Sequence, residues 1–178
     1  MTEQLVLKRL TKEWGEVDSP LLFSGKQWYY LKRDYCDKLA SRYKLSLQQV
    51  AGIYAALSPM KSVSENDRLC ENFLEGNYSG HFKSQIDKAK KILKEYNPDT
   101  IDAILKGDKT VSFFRNIYTP WDTNWVTVDR HQIKISNKGE LISVTPKRYK
   151  IISNATKVLA KRVNLYRSEE HTSELQSR

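Results

Sequence analysis

Lys109 and Asp129 are the two residues whose types and surroundings allow covalent or acid–base chemistry on a polyanionic substrate. Lys109 follows Leu105-Lys106-Gly107-Asp108, a glycine-containing break of the kind that joins two short helices through a tight turn. Such a turn points backbone N–H groups outward, and the positive end of the second helix attracts an anion such as a DNA phosphate. A lysine amine in that place is, when neutral, a nucleophile. Asp129 ends the β-branched run Val126-Thr127-Val128 and takes the N-cap position of a helix through Ile133. A carboxylate there is favoured by the helix dipole, and it can stabilise an oxocarbenium-like sugar or activate a water or an amine. The expectation is that both side chains open onto one cleft. The plainer alternatives are a solvated lysine at a helix start and a structural N-cap, and the second is compatible with catalysis.

The elements that must position these residues read as helices. Residues 1–23 carry weak periodicity with Trp14-Gly15 and Ser19-Pro20 as breakers, and read as a loose lead-in. From Ser24 a helix is predicted, with Trp28, Tyr29, Leu31, Tyr35, Cys36, Leu39 and Tyr43 at three- and four-residue spacing. Ser46 with Gln49 forms a capping-box pattern for a helix over Leu47 to Leu57, which is apolar nearly all round and so reads as the buried central one. Ser58-Pro59 ends it, and Ser62 or Ser64 caps a third helix to about Leu74. A basic amphipathic helix over Phe82 to Tyr96, a short one from Pro98 to Gly107, one over Lys109 to Ile117 and a last one from Thr145-Pro146 to Val163 complete an all-α chain. Trp28, Tyr29, Tyr30, Phe113 and Phe114 fit helical core spacing, whereas Trp121 and Trp125, in or beside a loop, suit base stacking.

Composition narrows the partners. The chain has 178 residues, 39% hydrophobic and 29% charged, most simply one compact globular domain. Its net charge of +9 points to a polyanion. No apolar run approaches membrane-spanning length, no signal peptide is recognisable, and Cys36 and Cys70 stand isolated as small core residues. Two cysteines exclude a four-cysteine zinc or iron–sulfur site, so no metal or cofactor is expected, and a cytoplasmic location follows. The tail over residues 167–178 is polar and aperiodic, and Arg167 to Ser177 resembles the translation of a sequencing-library adapter. On that reading the C-terminus is truncated and the helical domain spans residues 24–166. The tail carries two positive and three negative charges, so the remainder holds +10.

Val128-Asp129-Arg130-His131, preceded by Lys109 twenty residues upstream and a Gly-containing turn, resembles the helix–hairpin–helix (HhH-GPD) DNA glycosylase superfamily. The resemblance covers about residues 98–135. Of the family's Leu-Pro-Gly-Val-Gly hairpin only Gly107 is kept, and Lys109 to Ile117 is closest in character to uncharacterised bacteriophage relatives. It implies a multi-helix glycosylase fold, double-stranded DNA with an extruded base as partner, a monomer in a bacterial host cell, and attack by Lys109 at C1′ supported by Asp129. Gly107 and Lys106 would contact the DNA backbone, with Trp121 and Trp125 beside them. Arg130, His131, Arg115 and Asn116 would play supporting roles, His131 by hydrogen-bonding at the helix start. Ser58 and Asn66, flanking the break after the central helix, are pocket candidates. Two other readings stand beside this one: a base-hypermodifying enzyme on the same scaffold, as in some phages, and a non-catalytic DNA-binding module.

Overall fold

A computed structural model describes residues 1–16 and 19–163, and of residues 19–26 only the backbone. Its described residues form nine α-helices and one 3-10 turn, with no strand. The predicted all-α class is what the structure has. The chain divides into two compact units, Trp28–Pro120 and Met1–Gln27 with Trp121–Arg178, where one domain was the simplest expectation.

In the unit Trp28–Pro120 the organising element is α3, Leu47–Leu57, buried along its whole length from Gln49. Ser46 and Gln49 close the predicted capping box. The Gln49 side chain also donates to the carbonyls of Ile92 and Leu93, which lie in the last turn of α5 (Lys83–Lys94) and have no partner within that helix. A helix apolar all round must be covered on every side. Around α3 pack α4 (Val63–Leu74), α5, α6 (Ile101–Leu105) and α7 (Asp108–Tyr118). At Gly52 the packing is close: a Cβ there would meet Ile101 Cγ2 at 3.1 Å. The resulting core holds Tyr54, Leu57, Phe73, Ile92, Leu105, Phe114 and Ile117, together with Cys36 and Leu39 of α2 (Ser19–Tyr43). The 3-10 turn Pro98–Thr100 precedes α6, and Ser62, not Ser64, caps α4 through a box with Glu65.

The other unit is built on α1 (Glu3–Gly15), α8 (Arg130–Ser136) and α9 (Pro146–Arg162). Val6 and Leu10 of α1 are buried with Val128 and with Ile152, Ala155 and Leu159 of α9. Arg9 donates to the Ser136 carbonyl at the end of α8. This corrects the expected lead-in: residues 3–15 are helical because Val6 and Leu10, one turn apart, have a core to enter. It also corrects the start of α2, which begins at Ser19, since a proline in the first turn loses no hydrogen bond. The adapter-like tail lies outside the described residues. No helix among the described residues is long and apolar enough to cross a membrane.

Candidate functional site

Both predicted chemical groups sit where local sequence puts them, one in each unit. Lys106 and Gly107 alone link α6 to α7, and both take positive φ, 55° and 78°. Glycine adopts that region freely, and Lys106 carries the strain. The link is held from two sides. Lys88 Nζ donates to the Leu105 carbonyl at 2.7 Å, satisfying the end of α6. Arg115 grips Asp102 through two nitrogens, the shorter contact 2.7 Å, and so ties α7 back onto α6. Arg115 is therefore committed within the hairpin rather than offered to phosphate. No side chain caps the start of α7, and Lys109, in its first turn, is exposed. Lys109, Ser112, Phe113 and Asn116 follow at spacings that share one helix face. Asn116 is buried, while Phe113 packs half-buried against Trp28, Tyr29 and Tyr54.

Asp129 is the N-cap of α8, as expected. Its Oδ1 accepts from the Gln132 N–H at 2.9 Å, and the Asp129 N–H donates to the Gln132 side-chain oxygen at 3.2 Å. Oδ2 makes no hydrogen bond among the described residues, and Asp129 is half-buried. The extended segment before it is pinned by Tyr149 of α9, whose hydroxyl donates to the Val126 carbonyl at 2.7 Å and accepts from the Val128 N–H. Gln132, not His131, holds the helix start: His131 and Arg130 are exposed. Trp121 is exposed, whereas the Trp125 indole donates to Asp122 Oδ2 at 3.0 Å.

Ser58 and Asn66 both turn to the end of α3, Ser58 Oγ to the Ala55 carbonyl and Asn66 Nδ2 to the Tyr54 carbonyl. They satisfy backbone groups there rather than line the nearby hollow. That open hollow, of about 450 Å³, is lined by Met60, Lys61, Gly80, His81 and Phe82. Met60 is 80% exposed with φ 64°, and Phe82 is 62% exposed. His81 Nε2 is buried without a partner, and burial lowers the pKa of the ring.

A second polar constellation joins residues that lie far apart in the sequence. Lys32, only 8% exposed, places its ammonium 2.6 Å from Asp67 Oδ1 and over the rings of Tyr35 and Tyr54. Tyr54 donates to the same Oδ1 at 2.7 Å, and Tyr35 donates to the Asp67 carbonyl and to Glu71. Burial, reinforced by the hydrogen bond to Asp67, raises the Tyr54 hydroxyl, and burial pushes the Cys36 thiol beside it up to about 12. The consequence has a definite sign. Above pH 9, the ordinary value of the thiol, the unfolded chain sheds a proton that folded Cys36 keeps. That contribution is complete below pH 9 and is lost progressively as pH rises through about 12. Urea midpoints measured across this range are expected to fall steadily, and less steeply in Cys36→Ala.

A family match spans residues 1–177. The chain belongs to DUF7178, a family of unknown function. No curated protein and no solved structure matches it. Within this DUF7178 chain the sequence signal that could have exposed the second constellation is a lysine among Trp28, Tyr29 and Tyr35 on the apolar side of a helix. A lysine in that register demands a buried anion, although the sequence does not say which.

Proposed function

We propose that the protein is a DNA glycosylase-like enzyme that acts on a nucleotide extruded from the duplex, with Lys109 as nucleophile and Asp129 as charge-stabilising and proton-transferring carboxylate. The observation that carries this reading is the two-residue Lys106-Gly107 link between α6 and α7, followed by an uncapped helix start and an exposed Lys109. Backbone N–H groups at such a start suit a phosphate, and Lys109 in the first turn is accessible to the sugar beside it. In the reaction the neutral amine attacks C1′. The C1′–N bond breaks with its electron pair going to the base, which is protonated as it leaves. Loss of the amine proton and opening of the sugar ring then give a Schiff base.

The exposed pair Met60 and Phe82 supports the same reading. Apolar side chains standing out from two loops, lining one hollow together with Lys61, have the form of wedges that enter base steps and hold a duplex open. Met60→Ala with Phe82→Ala is expected to weaken binding to duplex DNA carrying an abasic-site analogue by about 10-fold, with stability within about 0.5 kcal/mol of the parent. Fluorescence anisotropy at two salt concentrations and thermal melts check both parts. Borohydride trapping with DNA bearing damaged or phage-type bases tests the chemistry. Base release without trapping would point to a monofunctional enzyme. Binding that weakens steeply with salt but leads to no turnover would identify a non-catalytic DNA-binding module.

A further inference from the structure

The positive charge of the chain is unevenly spread. Between Arg130 and Arg162 nine lysines and arginines stand against one acid, Glu140, so these residues hold +8 of the chain's +9. Helix α9 carries six of the nine and no acid. Its Lys147, Lys150, Lys157 and Lys161 follow at spacings of three, seven and four residues. At 3.6 residues per turn they fall within about a quarter of a turn of one another, in a row along one side of the helix. Ile152, Ala155 and Leu159 point the other way, into the core they share with Val6 and Leu10 of α1. Lys147, Lys150 and Lys161 are exposed, and Lys157 is half-buried. None of the four forms an ion pair among the described residues, although Lys12 with Glu16 and Lys91 with Glu95 pair along other helices. In the middle of the row Asn154 donates to Glu3 Oε2 of α1 at 3.3 Å, which sets one acid beside four lysines. Such a row works against the helix that bears it. Like charges three and four residues apart repel, and Lys147 and Arg148 lie in the first turn, where the helix dipole disfavours cations. A polyanion laid along the row removes both penalties.

We propose that the Lys147-Lys150-Lys157-Lys161 face of α9 is a track for the phosphate backbone of duplex DNA, gripped without regard to base sequence. The row is about 21 Å long, over which one strand of B-DNA presents about six phosphates, enough to engage all four lysines. Lysine ammonium groups on flexible stems suit point charges along a backbone rather than base edges. An anionic membrane surface fits less well, because the apolar side of α9 is spent on α1 and leaves nothing to insert among lipids. The track lies wholly within the unit that carries α1, α8 and α9. It rests on the DNA-binding half of the glycosylase reading and on no chemistry at Lys109.

The test uses the full chain and a labelled, undamaged duplex of about 20 base pairs, with affinity read by fluorescence anisotropy between about 50 and 200 mM salt. Each phosphate contact contributes about 0.9 to the slope of log affinity against log salt. The fourfold variant Lys147→Gln, Lys150→Gln, Lys157→Gln, Lys161→Gln is therefore expected to flatten that slope by about 3 and to bind at least about 100-fold more weakly at 0.1 M salt. Substituting the same four positions Lys→Arg keeps the charge and should keep both slope and affinity. Urea denaturation should find the glutamine variant at least as stable as the parent, since repulsion has been removed. The double variant Lys147→Gln, Lys150→Gln, expected to show about half the change in slope, reads the same effect if the fourfold one does not fold. An unchanged slope overturns the proposal. Tighter binding of the parent to phosphatidylserine vesicles than to the duplex also overturns it, in favour of a membrane surface. Borohydride trapping decides the enzymatic reading separately. A flattened slope without trapping keeps the track and removes the glycosylase, and trapping with an unchanged slope does the reverse.

Discussion

Lys109→Gln is expected to abolish the borohydride-trapped adduct, and Asp129→Asn to slow base release by about 10²- to 10⁴-fold. Each variant separates chemistry from folding for a structural reason. Lys109 is exposed in the first turn of α7, so glutamine in its place should leave stability within about 0.5 kcal/mol. Asp129 caps α8 through Oδ1, and asparagine caps as well as aspartate, so the amide keeps the bond to the Gln132 N–H and loses the charge. Asp129→Ala removes cap and charge together and should cost about 1 kcal/mol of stability besides the rate. Single-turnover rates and urea denaturation of the three proteins therefore divide the cap from the catalyst. An Asp129→Asn enzyme with full activity would remove Asp129 from the site.

Phe114→Ala should destabilise the protein by about 3–5 kcal/mol, among the largest effects any single truncation can have here. Phe114 is fully buried in the core around α3, stacked parallel on Tyr118 with ring centroids 5.9 Å apart. Its neighbour Phe113 points a different way on the same helix and is half-buried against Trp28, Tyr29 and Tyr54. Phe113→Ala leaves a gap that solvent partly fills, so its cost should be well below that of Phe114→Ala. On the same chain the difference reads directly in denaturant midpoints, and for a unit of this size 3 kcal/mol corresponds to a fall in Tm of about 12 °C or more. Equal costs for the two would mean that α7 does not present the faces described.

The central helix could be read without coordinates because every one of its sides is apolar, and such a segment has nowhere to go but inside. The caps at Ser46 and Asp129 were legible for a similar reason: a capping box is made by residues three apart, within one turn. The hairpin could be recognised from Gly107, although its partner in positive φ is a lysine that nothing local marks. Helix α1 was not legible. It buries only Val6 and Leu10, and that pattern is too sparse to outvote Trp14-Gly15 until α9 supplies the surface they enter. Nor was the exposed, left-handed Met60, because exposure is decided by what packs nearby.

The Lys109 stretch shows where the line falls. Sequence alone determines that a break at Gly107 is followed by a helix beginning near Lys109, and that Asp129 caps another, since both depend on backbone hydrogen bonds within a few residues. Only tertiary structure decides that Arg115 is spent on Asp102, that Lys88 closes α6, and that Lys32 finds Asp67 thirty-five residues away. Those pairings join side chains brought together by the packing of separate helices. A buried charge must find its counterion wherever the fold puts one, and spacing along the chain carries no record of that choice.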